Sequence, residues 1–485
     1  MIATVFCRRA ALAGLLAGVA IVPAFAGDRP ATPEGARTVQ AFLDRFVPAP
    51  PAGGSALVSV KPDGQAYILS VDLAAVNGLF KGAGVGATYE PATLVYKLFE
   101  QDDGKWRVVQ DSLPRIVTRT GDATSVFEVE NYRQTLVVDP QLAWWTSGAA
   151  SAGKGLLTAE APKLAQAFDF GSLAGDYATT VKPDGAVSST VRQAFGDVGF
   201  KISVTDKDGN PVASSGRLES ASVNLGVDGL NTRKLFDLVS LLSVHRADLA
   251  QHESELKDLL RTLAAPGTRF VEGGEATKLM IASPIGAIAL AGAKLGVGVT
   301  NAGPDSAVDA TLDAEGLSLP AGLAPPNAAD LTPSKVNLAF TVKGIDIAAA
   351  AAKAIESLRL GGPGPAISDD DSARVSAALI GAGPLKVVLA PSHVVAPAID
   401  ADLAGEMRYA AGRTSGVVTI RMRNFDRTMS AVRELGPEVA AKSLPMVAMA
   451  KGLAKTESDG ALSWLVEIGD DRSITVNGVR LSADK

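Results

Sequence analysis

Only three histidines and one cysteine occur in 485 residues, so the side chains able to carry metal or nucleophilic chemistry can be weighed one at a time. His245 and His252 lie in 233–263, where Leu235, Leu238, Leu242, Leu249, Leu256, Leu259 and Leu263 form an apolar seam. Both histidines fall on that seam, and its spacing predicts one continuous helix packed through an apolar stripe. On such a helix two turns separate the imidazoles by about 10 Å, too far to share one ion. Hydrogen-bonded packing is their expected role, with a pH-sensitive partner contact as the functional alternative. His393 directly follows Ser392. Adjacency does not build a catalytic triad, and no Gly-x-Ser-x-Gly elbow is present. Asp369, Asp370 and Asp371 follow a Gly/Pro run at 361–365 and lack the further oxygen ligands of a calcium loop. They read as a solvated linker whose Asp or Ser caps a helix from Ala373. Gly292 to Gly298 matches neither the phosphate-loop nor the dinucleotide pattern. Trp144 and Trp145 are expected on opposite faces of a strand, one of them buried, with an exposed binding patch as the alternative. The expectation is therefore no catalytic, cofactor-binding or metal-binding residue and no cofactor, which argues against an enzyme.

Composition and charge narrow the class further. The net charge of −6 gives the chain no electrostatic reason to bind nucleic acid or anionic headgroups. Hydrophobic residues make up 47% but aromatics only 5%, so the core must be built from Ala, Val and Leu, which suits extended sheets better than aromatic-lined pockets. Arg8 and Arg9 precede an apolar run from Ala10 to Val22, and Ala24-Phe25-Ala26 fits a small-x-small cleavage site. That pattern predicts a secretory signal at 1–26, with Sec and twin-arginine routes both open and no transmembrane anchor after cleavage. A periplasmic location follows as the expectation. Cys7 lies inside the signal, so no disulfide or cysteine metal site is expected beyond it.

The elements that must position any site are mostly strands. Tyr67, Leu69, Val71 and Leu73 alternate with polar neighbours, as do Leu94, Tyr96 and Leu98. In 281–300 the odd positions, including Ala289, Ala293, Leu295, Val297 and Val299, are uniformly apolar, which predicts a sheet with one strongly buried face. A short helix is expected over 35–46, and a further helical stretch over 427–455, broken near Gly436-Pro437 and at Pro445. Three segments share one rhythm of alternating strand, Gly or Asn, apolar residue, Asn or Asp, then helix. They end at Gly229-Leu230-Asn231, Gly344-Ile345-Asp346 and Asn424-Phe425-Asp426. Gly229, Gly344 and Asn424 tolerate positive φ, Leu230, Ile345 and Phe425 would staple the corner, and Asn231, Asp346 and Asp426 are the expected N-caps. The organisation read from these signals is a signal at 1–26, a Pro-rich segment at 27–54, a β-rich domain at 55–222, strand–helix units at 223–360, a linker at 361–372 and a C-terminal α+β unit at 373–485.

The strand–corner–helix units, the Leu317-Ser318-Leu319-Pro320 segment and the closing Ile474-Thr475-Val476-Asn477-Gly478-Val479 hairpin resemble the YdgA-type proteins of proteobacterial envelopes, and more loosely the AsmA-like group. The resemblance covers mainly Val223 to Leu481. It implies a long, exported, β-rich protein with an apolar groove for lipid, and it supplies no catalytic residues. The expected fold is α+β, with extended, curved antiparallel β-sheets, helices packed on one face and repeated strand–corner–helix units. The expected function is a non-enzymatic envelope protein holding a lipid, another apolar ligand or an envelope protein partner. A structural or interaction protein without a ligand is the alternative, and an exported hydrolase the third reading.

Overall fold

The computed structural model describes residues 28–47, 56–75, 86–245, 248–320, 328–361, 365–381, 383–410 and 412–481. The expected signal at 1–26, with Cys7, and Pro48, Pro50 and Pro51 of the Pro-rich patch lie outside them. Antiparallel strands dominate, and the chain divides into two compact units. The first comprises Met1–Ala213, Ser220–Leu263 and Arg359–Pro363; the second comprises Ser214–Glu219, Ala264–Leu358 and Gly364–Lys485.

The first unit opens with helix α1 (Pro33–Leu43), whose Thr32 cap accepts a hydrogen bond from Gly35 N at 3.0 Å. Ala36 packs on Tyr67 and Leu98, and a Cβ at Gly35 would collide with the Tyr67 ring, so glycine permits the close approach. The strands are β1 (Val58–Asp63), β2 (Ala66–Asp72), β3 (Gly86–Glu90), β4 (Thr93–Glu100), β5 (Trp106–Gln110) and β6 (Arg115–Thr120). They continue as β7 (Ala123–Val129), β8 (Arg133–Asp139), β9 (Trp144–Ala152), β10 (Gly155–Ala161), β11 (Leu164–Val181), β12 (Val187–Thr205) and β13 (Pro211–Leu230). One arm pairs in the order β1–β2–β4–β5–β8–β9 and the other in the order β3–β6–β7–β10. Both arms join β11: β10 pairs along its first half and β9 along its second, while β12 runs down its other edge. Between those halves Asp197 of β12 takes a left-handed φ of 52°, between the Phe170–Val198 and Ser172–Gly196 pairs.

Helix α2 (Thr232–Val244) follows β13, and helix α3 (Glu253–Leu263) follows a 3-10 turn at Leu249–His252. The continuous helix expected over 233–263 is thus broken. The seam folds back on itself, so that α2 packs on α3 and Leu241, Leu256 and Leu259 are buried. Pairing two amphipathic helices buries more of the stripe than one long helix could on its own.

The second unit is an antiparallel meander. Its strands are β14 (Thr268–Ser283), β15 (Gly286–Asn301), β16 (Ser306–Glu315), β17 (Lys335–Ile345), β18 (Leu385–Ala396), β19 (Ile399–Ala410) and β20 (Arg413–Arg423). Helices α4 (Ile347–Ser357) and α5 (Asp369–Ile380) connect β17 to β18 and pack on each other. Helices α6 (Phe425–Glu434) and α7 (Pro437–Leu453) follow β20. The chain closes with β21 (Lys455–Thr456), β22 (Leu462–Ile468), β23 (Ile474–Val476) and β24 (Val479–Arg480). Successive neighbours pair from β14 through β20, then β22 adds to β20 and β23 to β22.

Two of the three expected N-caps are in place: Asn231 accepts from Lys234 N at 3.0 Å and Asp346 from Ala349 N at 2.8 Å, after Gly229 (φ 76°) and Gly344 (φ 81°). The third differs. Asn424 itself is the N-cap, with φ 56°, so Phe425 is already helical and Asp426 sits in the first turn, paired with Lys451 at 2.5 Å. Phe425 is drawn in by packing against Trp464 and Val476, which advances the helix start. Helix α5 begins four residues before Ala373: Ser368 caps Asp371 N at 3.2 Å, and its hydroxyl donates to the Asp371 carboxylate at 2.7 Å. Gly436, at φ 103°, separates α6 from α7, whereas α7 runs through Pro445, whose missing N–H costs one helical bond.

Candidate functional site

Directly opposed residues in an antiparallel ladder share a face, so the pairing register of the second unit sorts its side chains. Phe270, Val299, Val308, Val342, Val387, Met407, Gly416 and Ile468 form one unbroken row across β14–β20 and β22. Beside it runs a second row of Val297, Ala310, Phe340, Leu389, Gly405, Val418 and Val466, on the same face. Leu295, Leu312 and Leu338 continue that face, and Ala293 and Ala289 extend it with small side chains.

Among the described residues, helices α6 and α7 cover this face at one end. There Phe425 of α6, with Met429, Val447 and Leu453 from α6 and α7, packs over Trp464, Val466 and Val476. Trp464 Nε1 also donates to Ala450 O at 2.7 Å. Toward β14 the same rows are open: Leu295 is 60% exposed, Phe270 50%, Val297 48% and Phe340 44%. The strongly buried face expected for 281–300 is therefore not buried. The alternation is there, but the sheet leaves its apolar side uncovered. The opposite face carries polar pairs, with Thr341 donating to Asp309 at 2.7 Å, Asn337 to Asp313, and Lys294 paired with Glu275 at 3.0 Å, beside exposed Val271, Val417 and Leu465. Contiguous exposed apolar surface of this kind marks ligand or partner contact on folded proteins.

The chemistry-bearing residues are placed as follows. Ser392 and His393 project to opposite sides of β18. Ser392 is buried, donates to Ala390 O at 2.8 Å and accepts from Ala339 N at 3.3 Å. His393 Nδ1 lies 2.7 Å from Asp402 Oδ1 on the polar face. Arg423 bridges Asp400 at 2.7 Å and Asp402 at 2.8 Å. Partial burial disfavours the Asp402 carboxylate, but the His393 bond and the Arg423 guanidinium outweigh it and hold its pKa below the ordinary value. Gly292 to Gly298 lie inside β15, within a ladder rather than a phosphate loop. Asp369 to Asp371 form the first turn of α5.

Trp144 and Trp145 do not take opposite faces. Their rings stack at 3.9 Å between centroids at the entry of β9, directly after Ala143 with its φ of 50°. Trp144 Nε1 donates to Ser189 Oγ at 2.9 Å, and Trp145 leans on Tyr177.

His245 and His252 are brought together rather than held apart. The break between α2 and α3 brings their rings to 3.7 Å between centroids, with the planes tilted by 37°. One sequence signal marks that break: acidic Glu253 and Glu255 open a first helical turn.

No protein-family model, curated protein or solved structure matches the chain. Among the described residues no helix is long and apolar enough to cross a membrane, which leaves strands aside.

Proposed function

We propose that the chain is an exported, non-enzymatic protein of the cell envelope that holds acyl chains, or a ligand of similar apolarity, on the open sheet face of its second unit. The observation that carries this reading is the apolar row that runs unbroken from Phe270 of β14 to Ile468 of β22, with its companion row from Val297 of β15, both losing their cover toward β14. Small residues such as Ala289, Ala293 and Ala310 leave a flat bed on which a chain of methylenes can lie. Each methylene removed from water contributes about 0.8 kcal/mol, so a long acyl chain needs no polar anchor to bind usefully. The secretion signal expected at 1–26 and the likeness to YdgA-type and AsmA-like proteins support the same reading. So does the acidic surface, which offers nothing to nucleic acid.

The test is native mass spectrometry of the protein purified from periplasm without detergent, followed by lipid extraction. A stoichiometric bound lipid is the expected result. A clean unliganded mass that stays unchanged after incubation with phospholipid vesicles would overturn the reading and favour an envelope protein partner on the same face.

A further inference from the structure

The fold-back between α2 and α3 gathers three metal-ligating side chains that have no part in the apolar face. Asp248 reaches both imidazoles, its Oδ1 at 3.4 Å from His245 Nδ1 and its Oδ2 at 3.7 Å from His252 Nε2. One donor atom from each of the three residues falls within 4.8 Å of the others. We propose that His245, Asp248 and His252 bind one divalent transition-metal ion of the zinc class.

The separations carry the argument. They exceed the roughly 2.7–3.2 Å of a good N–H···O hydrogen bond. With one donor atom from each residue within 4.8 Å of the others, side-chain rotation brings them to the edges, about 3.3–3.4 Å long, of a tetrahedron whose nitrogen and oxygen ligands sit about 2.0–2.1 Å from zinc. Two imidazoles and one carboxylate select zinc and its borderline neighbours over calcium or magnesium, which prefer oxygen-only sets.

A second observation supports the assignment. Glu255 Oε2 stands 3.5 Å from His252 Nδ1, the ring nitrogen that the cluster does not use. From there a small side-chain movement lets the carboxylate accept a hydrogen bond from Nδ1–H, the tautomer that leaves the Nε2 lone pair for the ion. The ligands are partly open, with side-chain exposures of 35% for His245, 27% for His252 and 42% for Asp248. His245 and Glu255 also line a cleft of about 780 Å³ with Arg45 and Lys234, which gives the ion a route from solvent. Three protein ligands leave the fourth position to water or an exogenous anion, as in an exchangeable rather than a closed structural site.

The test uses untagged protein stripped with a chelator, titrated with Zn²⁺ by calorimetry and with Co²⁺ by visible absorption. One equivalent of zinc and the intense visible bands of a four-coordinate cobalt site are expected for the unsubstituted chain. His245→Asn and His252→Gln abolish both. Glu255→Gln lowers zinc affinity by about 10- to 100-fold, as loss of an outer carboxylate does elsewhere. His393→Gln, in the second unit, changes neither readout. Failure of the unsubstituted chain to bind zinc, or zinc binding that survives both His245→Asn and His252→Gln, would overturn the proposal. The cobalt spectrum of the unsubstituted chain decides the matter even where a variant folds poorly.

Discussion

Asn477 shows how much one side chain can hold. Its amide donates to Leu453 O at 2.8 Å and to Ser463 O at 2.9 Å, and its carbonyl accepts from Leu465 N at 2.9 Å. It thereby ties the end of α7 to β22 and to the closing hairpin, while its own φ of 48° and that of Gly478 at 82° make the turn. Asn tolerates that left-handed backbone better than other side chains with a Cβ. Asn477→Ala loses three hydrogen bonds and the conformational preference together, and is expected to lower stability by about 2–4 kcal/mol. Urea unfolding measures it, and Asn477→Asp, which keeps the acceptor and loses the donors, is expected to fall between. The Val-Asn-Gly signature was legible in sequence as a hairpin end. Its three tertiary bonds were not, because their acceptors and donor belong to segments 12 to 24 residues away. The tryptophan pair departs from alternation because that rule holds inside a regular ladder, whereas the pair stands at the entry of β9 directly after Ala143 at φ 50°.

At the scale of elements, periodicity served well where a segment has one partner and poorly where it turns back on itself. The strands containing Tyr67, Leu94, Val342 and Val418 alternate as their sequences do, because each lies in a ladder with one apolar face. The leucine seam of 233–263 continues in phase across the break, so spacing alone could not reveal it; the acids at the start of α3 could. The three corners show the same contrast. Asp346 caps α4 through its side chain, whereas Asp426 occupies the first turn of a helix already begun at Phe425. Asp346→Ala is expected to cost about 1 kcal/mol, the ordinary value of a lost N-cap. Asp426→Ala removes only a solvent-screened pair with Lys451 and a first-turn charge, and should cost about 0.5 kcal/mol or less. Equal losses in a thermal-melt comparison would mean that the third corner is capped by Asp426 after all.

At the scale of the molecule, the composition and the open face are two aspects of one design. A chain that is 47% hydrophobic but 5% aromatic builds wide sheets from small aliphatic residues, and a sheet needs a second layer to hide its apolar side. The second unit supplies that layer at the Trp464 end through α6 and α7. Toward β14 the rows of Val297 and Leu295 remain in solvent. If the open rows serve a ligand, substitutions there must separate binding from stability. Leu295→Asp and Phe340→Asp are expected to leave the melting temperature nearly unchanged, since each side chain is already close to half or more exposed and surface changes usually fall within about 0.5 kcal/mol. Both should abolish retention of a radiolabelled phospholipid, because a charge placed in the bed must be desolvated against the acyl chain. Trp464→Ala, on the same face but under the helices, should do the reverse: it empties a packed site at a cost of about 3–5 kcal/mol, while the open rows keep their ligand as long as the unit stays folded. Strong destabilisation by Leu295→Asp would instead mean that the face is core, closed in solution by a second layer. In that case the apolar rows serve stability alone and the ligand reading fails.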